Sequence, residues 1–344
     1  MKLRILAEKD CRAVLDMAQA IELQRQAFQH LADQRAIGGL RSVAQGDDPP
    51  SVTIFNPCFL TGGAGFGIKV VSDFERNALA GLTRLSALVA VFDGRTGHPE
   101  AVMEGGYLTD VRTGAGVALA ASLMARTDSH SLTLIGAGRI SWNVLLAVAH
   151  MFKLQRVQVH TRTRARGERF VAAAQALARI EGSGVPGDTT LVDDPAPAIG
   201  QSDLVIAATT SSTPVIHGDW LRPGTFVATA GSYSATAREV DSAAVKRASV
   251  RAVDSVRDSL DRVGDYVIPL TEGVIERSSV ADFASIVADR TPGRETPEDI
   301  TYFKSCGVAA QDLITGQHIA RECARRGLGT LIELGGESSP EQGF

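Results

Sequence analysis

Two rhythms of apolar and polar positions divide this chain. From Ser131 onward, short apolar runs alternate with segments of helical period: "SLTLIG" then "NVLLAVAHMF", "RVQVH" then "RFVAAAQALA", and further runs at "TTLV", "DLVIAAT", "TFVATAG" and "SVRAVD". Strands alternating with helices over short links predict a parallel, doubly wound sheet. Before Ser131 the rhythm differs. A strand at "LRIL" precedes a helix with Asp10 as its expected N-cap, carrying Ala13, Val14, Met17, Ile21 and Phe28 at helical spacing. Short strands follow at "SVTIF", "GFGIKVV" and "ALVAVF", and "DGRTGHP" turns the last of them into "EAVMEGG", a meander. Residues up to about 125 therefore read as a mixed α+β unit. After "ITYF", a helix over "GVAAQDLITGQHIARECARRG" and a strand at "LGTLIEL" are expected to return to that first unit.

Composition narrows the class. A chain of 344 residues with 44% hydrophobic content is long enough for two domains with substantial cores. A net charge of −4 argues against a protein-wide footprint for nucleic acid or an acidic membrane, so any anion site must be local. Cys11, Cys58, Cys306 and Cys323 are widely spaced with no Cys-x-x-Cys pair, which suggests reduced thiols and no metal knuckle. No apolar run reaches the length of a membrane span, and a cytoplasmic protein is expected.

"LTLIGAGRIS" carries the main chemical signal: Gly136-x-Gly138-x-x-Ser141 follows a strand and opens a helix, the context a dinucleotide fingerprint requires. Gly136 permits the tight turn and Gly138 lets backbone amides approach a pyrophosphate, although Ser141 stands where Gly or Ala is usual. At the end of the next strand, beside the adenosine ribose, NAD-binding proteins keep an acid; here stand His160, Thr161, Arg162 and Thr163. A guanidinium there can fork onto a 2′-phosphate, so NADP(H) is the preferred cofactor, with NAD(H) as the alternative. The plain competitor is a solvated basic helix start, which the helix dipole disfavours. Two more cations stand out. Lys69 lies in an apolar run and belongs either on a strand edge or in a cleft with an anionic partner. Arg112 and Thr113 fall in the expected first turn of a helix capped by Thr109, an anion site if not merely a surface arginine.

These stretches together resemble the ornithine cyclodeaminase and mu-crystallin family: "GIKVV", "FDGRTGHPEAVMEGGYLTDVRTGA", "IGAG", "AGSYSATAREVD" and "YFKSCGVAAQD" occur in the family's order along nearly the whole chain. The resemblance implies a Rossmann-type nicotinamide domain, residues 126–304, inserted into a substrate-binding and dimerisation domain made of residues 1–125 and 305–344. It implies a homodimer. It assigns Lys69, Arg112 and Arg41 to the substrate carboxylate. Lys69 and Arg112 are the expected catalytic residues, Lys69 as a clefted lysine that supports or supplies the imine proton unless water does, and Tyr233 is expected at the substrate. Thr113, Gly138, Arg139, Ile140, Thr161, Arg162 and Thr163 match cofactor-contacting positions, and Ser305 one near the nicotinamide.

One departure separates activities within the family. Cyclodeaminases carry an Asp for proton transfer six residues before a Glu, and counting back from Glu239 lands on Tyr233. A phenol, with an unperturbed pKa of ~10, is a poor base near neutral pH. The expected activity is thus NADPH-dependent reduction of a small α-imino acid such as pyrroline-2-carboxylate or piperideine-2-carboxylate. The alternatives are an ornithine or lysine cyclodeaminase, an amino-acid dehydrogenase, or a non-catalytic NADPH-binding protein of the crystallin kind.

Overall fold

The two rhythms become two sheets. The computed structural model describes residues 1–39, 41–47 and 50–335. Its strands are β1 (Lys2–Leu6), β2 (Ala36–Gly38), β3 (Ser42–Asp47), β4 (Pro50–Leu60), β5 (Gly65–Phe74), β6 (Leu85–Phe92), β7 (Pro99–Glu104), β8 (Ser131–Ile135), β9 (Arg156–His160), β10 (Asp188–Leu191), β11 (Leu204–Ala207), β12 (Phe226–Thr229), β13 (Val250–Val253), β14 (Val280–Asp282), β15 (Thr301–Lys304) and β16 (Thr330–Glu333). The first sheet runs β16-β1-β7-β6-β5-β4-β2, with β3 also on β4. The second runs β10-β9-β8-β11-β12-β15-β13-β14 and is parallel throughout. The reversal of strand order at β8 is the switch point at which doubly wound sheets open a ligand crevice. Seating β15 between β12 and β13 was beyond any local pattern.

In the first unit, β5 alternates Gly65, Gly67 and Lys69 inward with Phe66, Ile68 and Val70 outward. The helix Ala309–Arg326 covers the inward face and packs on the helix Met17–Ala32. The outward face is apolar: Phe59, Phe66 and Phe92 stack in a row across β4, β5 and β6, at centroid spacings of 5.8 and 4.7 Å. Ile37, paired to Phe59, is 53% exposed, and Phe59 itself 44%. In the second unit, Ile135, Val205, Val227, Val253 and Tyr302 build a core with Tyr266 from a flanking helix. Among the described residues no helix is long and apolar enough to cross a membrane.

Three expectations need correction. Asp10 does not cap its helix: the helix is Glu8–Val14, and Asp10 reaches back to accept from the amide of Ala7. The helix ends at Val14, and a second one follows, capped by Asp16: Met17–Ala32, in which Asp16 accepts from the amide of Gln19 at 2.8 Å. Thr109 does not cap either. The helix is Gly105–Met124, and the Glu104 carboxylate accepts from the amides of Gly106 and Tyr107 at 2.6 and 3.0 Å, so Arg112 stands well inside the helix rather than at a dipole end. The seams expected after residues 125 and 304 fall elsewhere. The compact units are Met1–Thr109 with the chain from Val308 on, and Asp110–Gly307. The helix turns from Asp110 on belong to the second unit because they pack there, Gly114 against Asn143 and Leu123 against Gly293.

Candidate active site

The carboxyl ends of β8, β9, β11, β12 and β15 gather the second unit's functional positions. Gly136 has φ +107, and a Cβ there would lie 2.6 Å from the Ala208 carbonyl oxygen, so only glycine fits. Its amide donates to His160 at 2.8 Å, which ties the fingerprint loop to the "HTRT" strand end. Gly138 caps the helix Arg139–Met151 without a side-chain bond, and a Cβ built on it would meet nothing within 4 Å. Uncapped first-turn amides over such a cradle fit a pyrophosphate. Ile140 is half-buried, Ser141 is 1% exposed, and Arg139 pairs with Asp110, Nε to Oδ2 at 2.6 Å.

The basic stretch divides into paired and unpaired arginines. Arg164 bonds Glu168 and Asp193, each at 3.0 Å. Arg162 is exposed and makes no hydrogen bond or ion pair among the described residues. Thr161 is half-buried and Thr163 exposed beside it. A glycine cradle, uncapped amides and an exposed guanidinium thus lie on adjacent strand ends, an arrangement that fits a dinucleotide.

A buried charge cluster, which sequence reasoning missed, holds the neighbouring loops. Lys304, at the end of β15, lies 3.0 Å from Asp265 and 3.6 Å from Glu239, all three fully buried. Glu239 accepts from the amides of Thr209 and Gly231 at 2.7 Å and of Ser232 at 3.2 Å, so one carboxylate pins the loops after β11 and β12. Burial disfavours the Lys304 ammonium, but Asp265 and Glu239 outweigh it and hold its pKa above the ordinary lysine value. The available signal was a lysine inside the apolar run "ITYFK". Ser305, next along, is 5% exposed and donates its amide to Thr229.

Arg112 is 5% exposed, and Thr113 7%. The Arg112 guanidinium lies against Gly307, whose φ is +79 and on which a Cβ would stand 2.7 and 2.8 Å from the two terminal nitrogens. Tyr233 lies in the loop after β12 and is 47% exposed.

The first unit holds Lys69 and Arg41. Lys69 is on a central strand, paired to Val89 of β6 and Asn56 of β4, so it guards no edge. Its ammonium meets Asp312 at 2.7 Å, with the side chains 6% and 2% exposed. The two open readings of Lys69 thus resolve toward the anionic partner, supplied by the helix Ala309–Arg326. Arg41 is half-buried just before β3. Among the described residues no three His, Cys, Asp or Glu side chains gather as a metal site would need.

A parallel sheet of this order, with this fingerprint at its switch point, defines a Rossmann-type dinucleotide-binding class. The sequence pattern of the ornithine cyclodeaminase/mu-crystallin family matches residues 5–326, and the chain belongs to that family. It is 34% identical over 324 residues to a Δ1-pyrroline-2-carboxylate reductase of Paracoccus denitrificans, covering 93% of this chain and 97% of the relative. It superimposes with a TM-score of 0.89, at 32% identity, on the Thermococcus litoralis Δ1-pyrroline-2-carboxylate reductase in complex with NADH and L-proline, covering 95% and 99% of the two chains. An archaeal alanine dehydrogenase dimer with bound NAD also gives 0.89, at 25% identity, covering 97% and 100%.

Proposed function

We propose that this protein reduces a small α-imino acid with a nicotinamide cofactor, the substrate being a cyclic ketimine of the pyrroline-2-carboxylate or piperideine-2-carboxylate kind. The observation that carries the reading is near-full-length likeness to Δ1-pyrroline-2-carboxylate reductases in a chain with Tyr233 where cyclodeaminases keep their Asp. Lys69, Arg41 and Arg112, the three cations that the family resemblance assigns to it, serve the substrate carboxylate. When bound, the reduced nicotinamide supplies the hydride. Lys69, oriented by Asp312, supplies the proton to the imine nitrogen. Fixing the carboxylate orients the adjacent C=N carbon, a positioning effect worth several kcal/mol of barrier.

NADP(H) is the preferred cofactor. Arg162 supports this choice: it is exposed, with no partner among the described residues, at the strand end where a ribose 2′-phosphate would be read, while its neighbour Arg164 is engaged. The protein works as a homodimer through the outward face of the first sheet. A stacked aromatic row flanked by exposed Ile37, Phe55 and Leu88 is too apolar a surface to leave in water, and a second copy covers it. The test of function is direct: purified protein with each ketimine, NADPH or NADH, and loss of the reduced-nicotinamide absorbance. No oxidation with either cofactor across both ketimines would overturn the assignment.

A further inference from the structure

Asp254 follows β13 and is 1% exposed. Its Oδ2 accepts from the amides of Cys306 and, at 2.5 Å, of Gly307, while its Oδ1 has no hydrogen-bond partner among the described residues. Gly307 is the residue on which the Arg112 guanidinium rests, in a left-handed conformation and too close to that guanidinium for any side chain. One buried carboxylate therefore fixes both amides of the turn that forms the bed of Arg112.

We propose that Asp254 is a positioning residue that, as a carboxylate, locks the Cys306–Gly307 turn beneath Arg112 and so sets the angle at which that guanidinium meets the substrate's carboxylate. The proposal rests on the reading of Arg112 as a carboxylate-binding residue. Bonds from amides to an ionised acceptor are about twice as strong as to a neutral one, so the lock weakens when Asp254 takes up a proton. The titratable and charged groups facing it are Arg112 from the helix Gly105–Met124, and Lys304 and Cys306 from β15 and its turn. Burial pushes the carboxyl up while the two amides, Arg112 and Lys304 pull it back, leaving it at about 6, within the range where an enzyme is assayed.

Asp254→Asn keeps shape and an acceptor oxygen but removes the charge. It is expected to raise the KM for the ketimine about tenfold or more, with a smaller change in kcat and unaltered NADPH binding. The acid limb of kcat/KM near pH 6 in the parent should flatten in the variant on the same substrate. Hydrogen exchange should quicken at the Cys306 and Gly307 amides and not elsewhere in the second unit. A merely structural Asp254 would instead lower the unfolding temperature, kcat and cofactor binding together. That pattern overturns the proposal, as does a variant with parent KM and parent pH profile. Asp254→Glu, which keeps the charge, guards against misfolding of the first variant and should retain the acid limb. Arg112→Ala, run alongside, separates the two claims: if it leaves ketimine KM unchanged, the carboxylate reading of Arg112 fails, while exchange at Cys306 and Gly307 still decides whether Asp254 holds the turn.

Discussion

The Lys69 ammonium lies 2.7 Å from the Asp312 carboxylate, and water reaches neither side chain appreciably. Breaking a buried pair by removing one partner costs about 3–5 kcal/mol, because the remaining charge stays desolvated, whereas replacing both by apolar groups is often near neutral. Asp312→Ala should therefore destabilise by about that amount. The double change Lys69→Met with Asp312→Leu should recover most of the loss in denaturant unfolding. Turnover should remain absent in it. A double variant that regains turnover would remove Lys69 from the reaction.

Arg162 and Arg164 give a matched comparison two residues apart. Arg162→Ala should weaken NADPH by about 1–3 kcal/mol and NADH far less, since only the 2′-phosphate loses its charge-assisted contact. Arg164→Ala should change neither much, because Glu168 and Asp193 already hold that guanidinium. Fluorescence titration of both cofactors checks this. Equal losses for NADPH and NADH in Arg162→Ala would make the arginine a loop support.

What the sequence made legible is what repeats locally. Alternating strands and helices from Ser131 gave the parallel sheet, and Gly136 and Gly138 are read from their neighbours alone. Lys69 was conspicuous because a charge interrupts an apolar run, but its partner Asp312 arrives on a helix near the other end of the chain, and no local pattern announces that meeting. The cluster of Lys304, Glu239 and Asp265 is the same case. The helix expected at Thr109 starts earlier because Glu104 caps it, a choice between two oxygen-bearing side chains that only the turn geometry decides.

Ile37 and Phe59 face each other across β2 and β4 at the exposed end of the aromatic row. If a second copy covers that face, Ile37→Glu with Phe59→Glu buries two carboxylates in the interface and should convert a dimer to monomers in sedimentation, with helix content unchanged. A parent protein that sediments as a monomer across the micromolar range would refute the interface outright.

Asp299 sets an acid-side dependence. Burial raises its pKa, but the amides of Thr296 and Glu295 and the Ser249 hydroxyl outweigh burial and bring it to about 2. With the folded value below the unfolded one, the unfolded chain binds the proton more tightly, so the stabilisation is present at neutral pH and is lost as pH falls from about 4 to about 2. Asp299→Asn should unfold at a lower temperature than the parent at neutral pH, and the gap should close across that acid window. A gap that stays constant down to about pH 2 would show that these bonds do not depend on the charge.

Tyr233 separates reduction from cyclodeamination. Cyclodeamination of ornithine oxidises an amine to an imine, closes the ring with loss of ammonia and returns the hydride, so it must first deprotonate an ammonium. Tyr233 is a phenol and 47% exposed, which leaves no carboxylate at the position where cyclodeaminases keep that base. Imine reduction asks only for a proton at nitrogen and a hydride at carbon, and the Lys69 ammonium carries such a proton. The protein should therefore oxidise NADPH with pyrroline-2-carboxylate or piperideine-2-carboxylate and release no ammonia from ornithine. Tyr233→Phe should keep more than about a tenth of parent ketimine turnover, since the loss of a single assisting hydrogen bond is worth about 1 kcal/mol. Stoichiometric ammonia and proline from ornithine with catalytic NAD would establish the cyclodeaminase and end the reductase assignment.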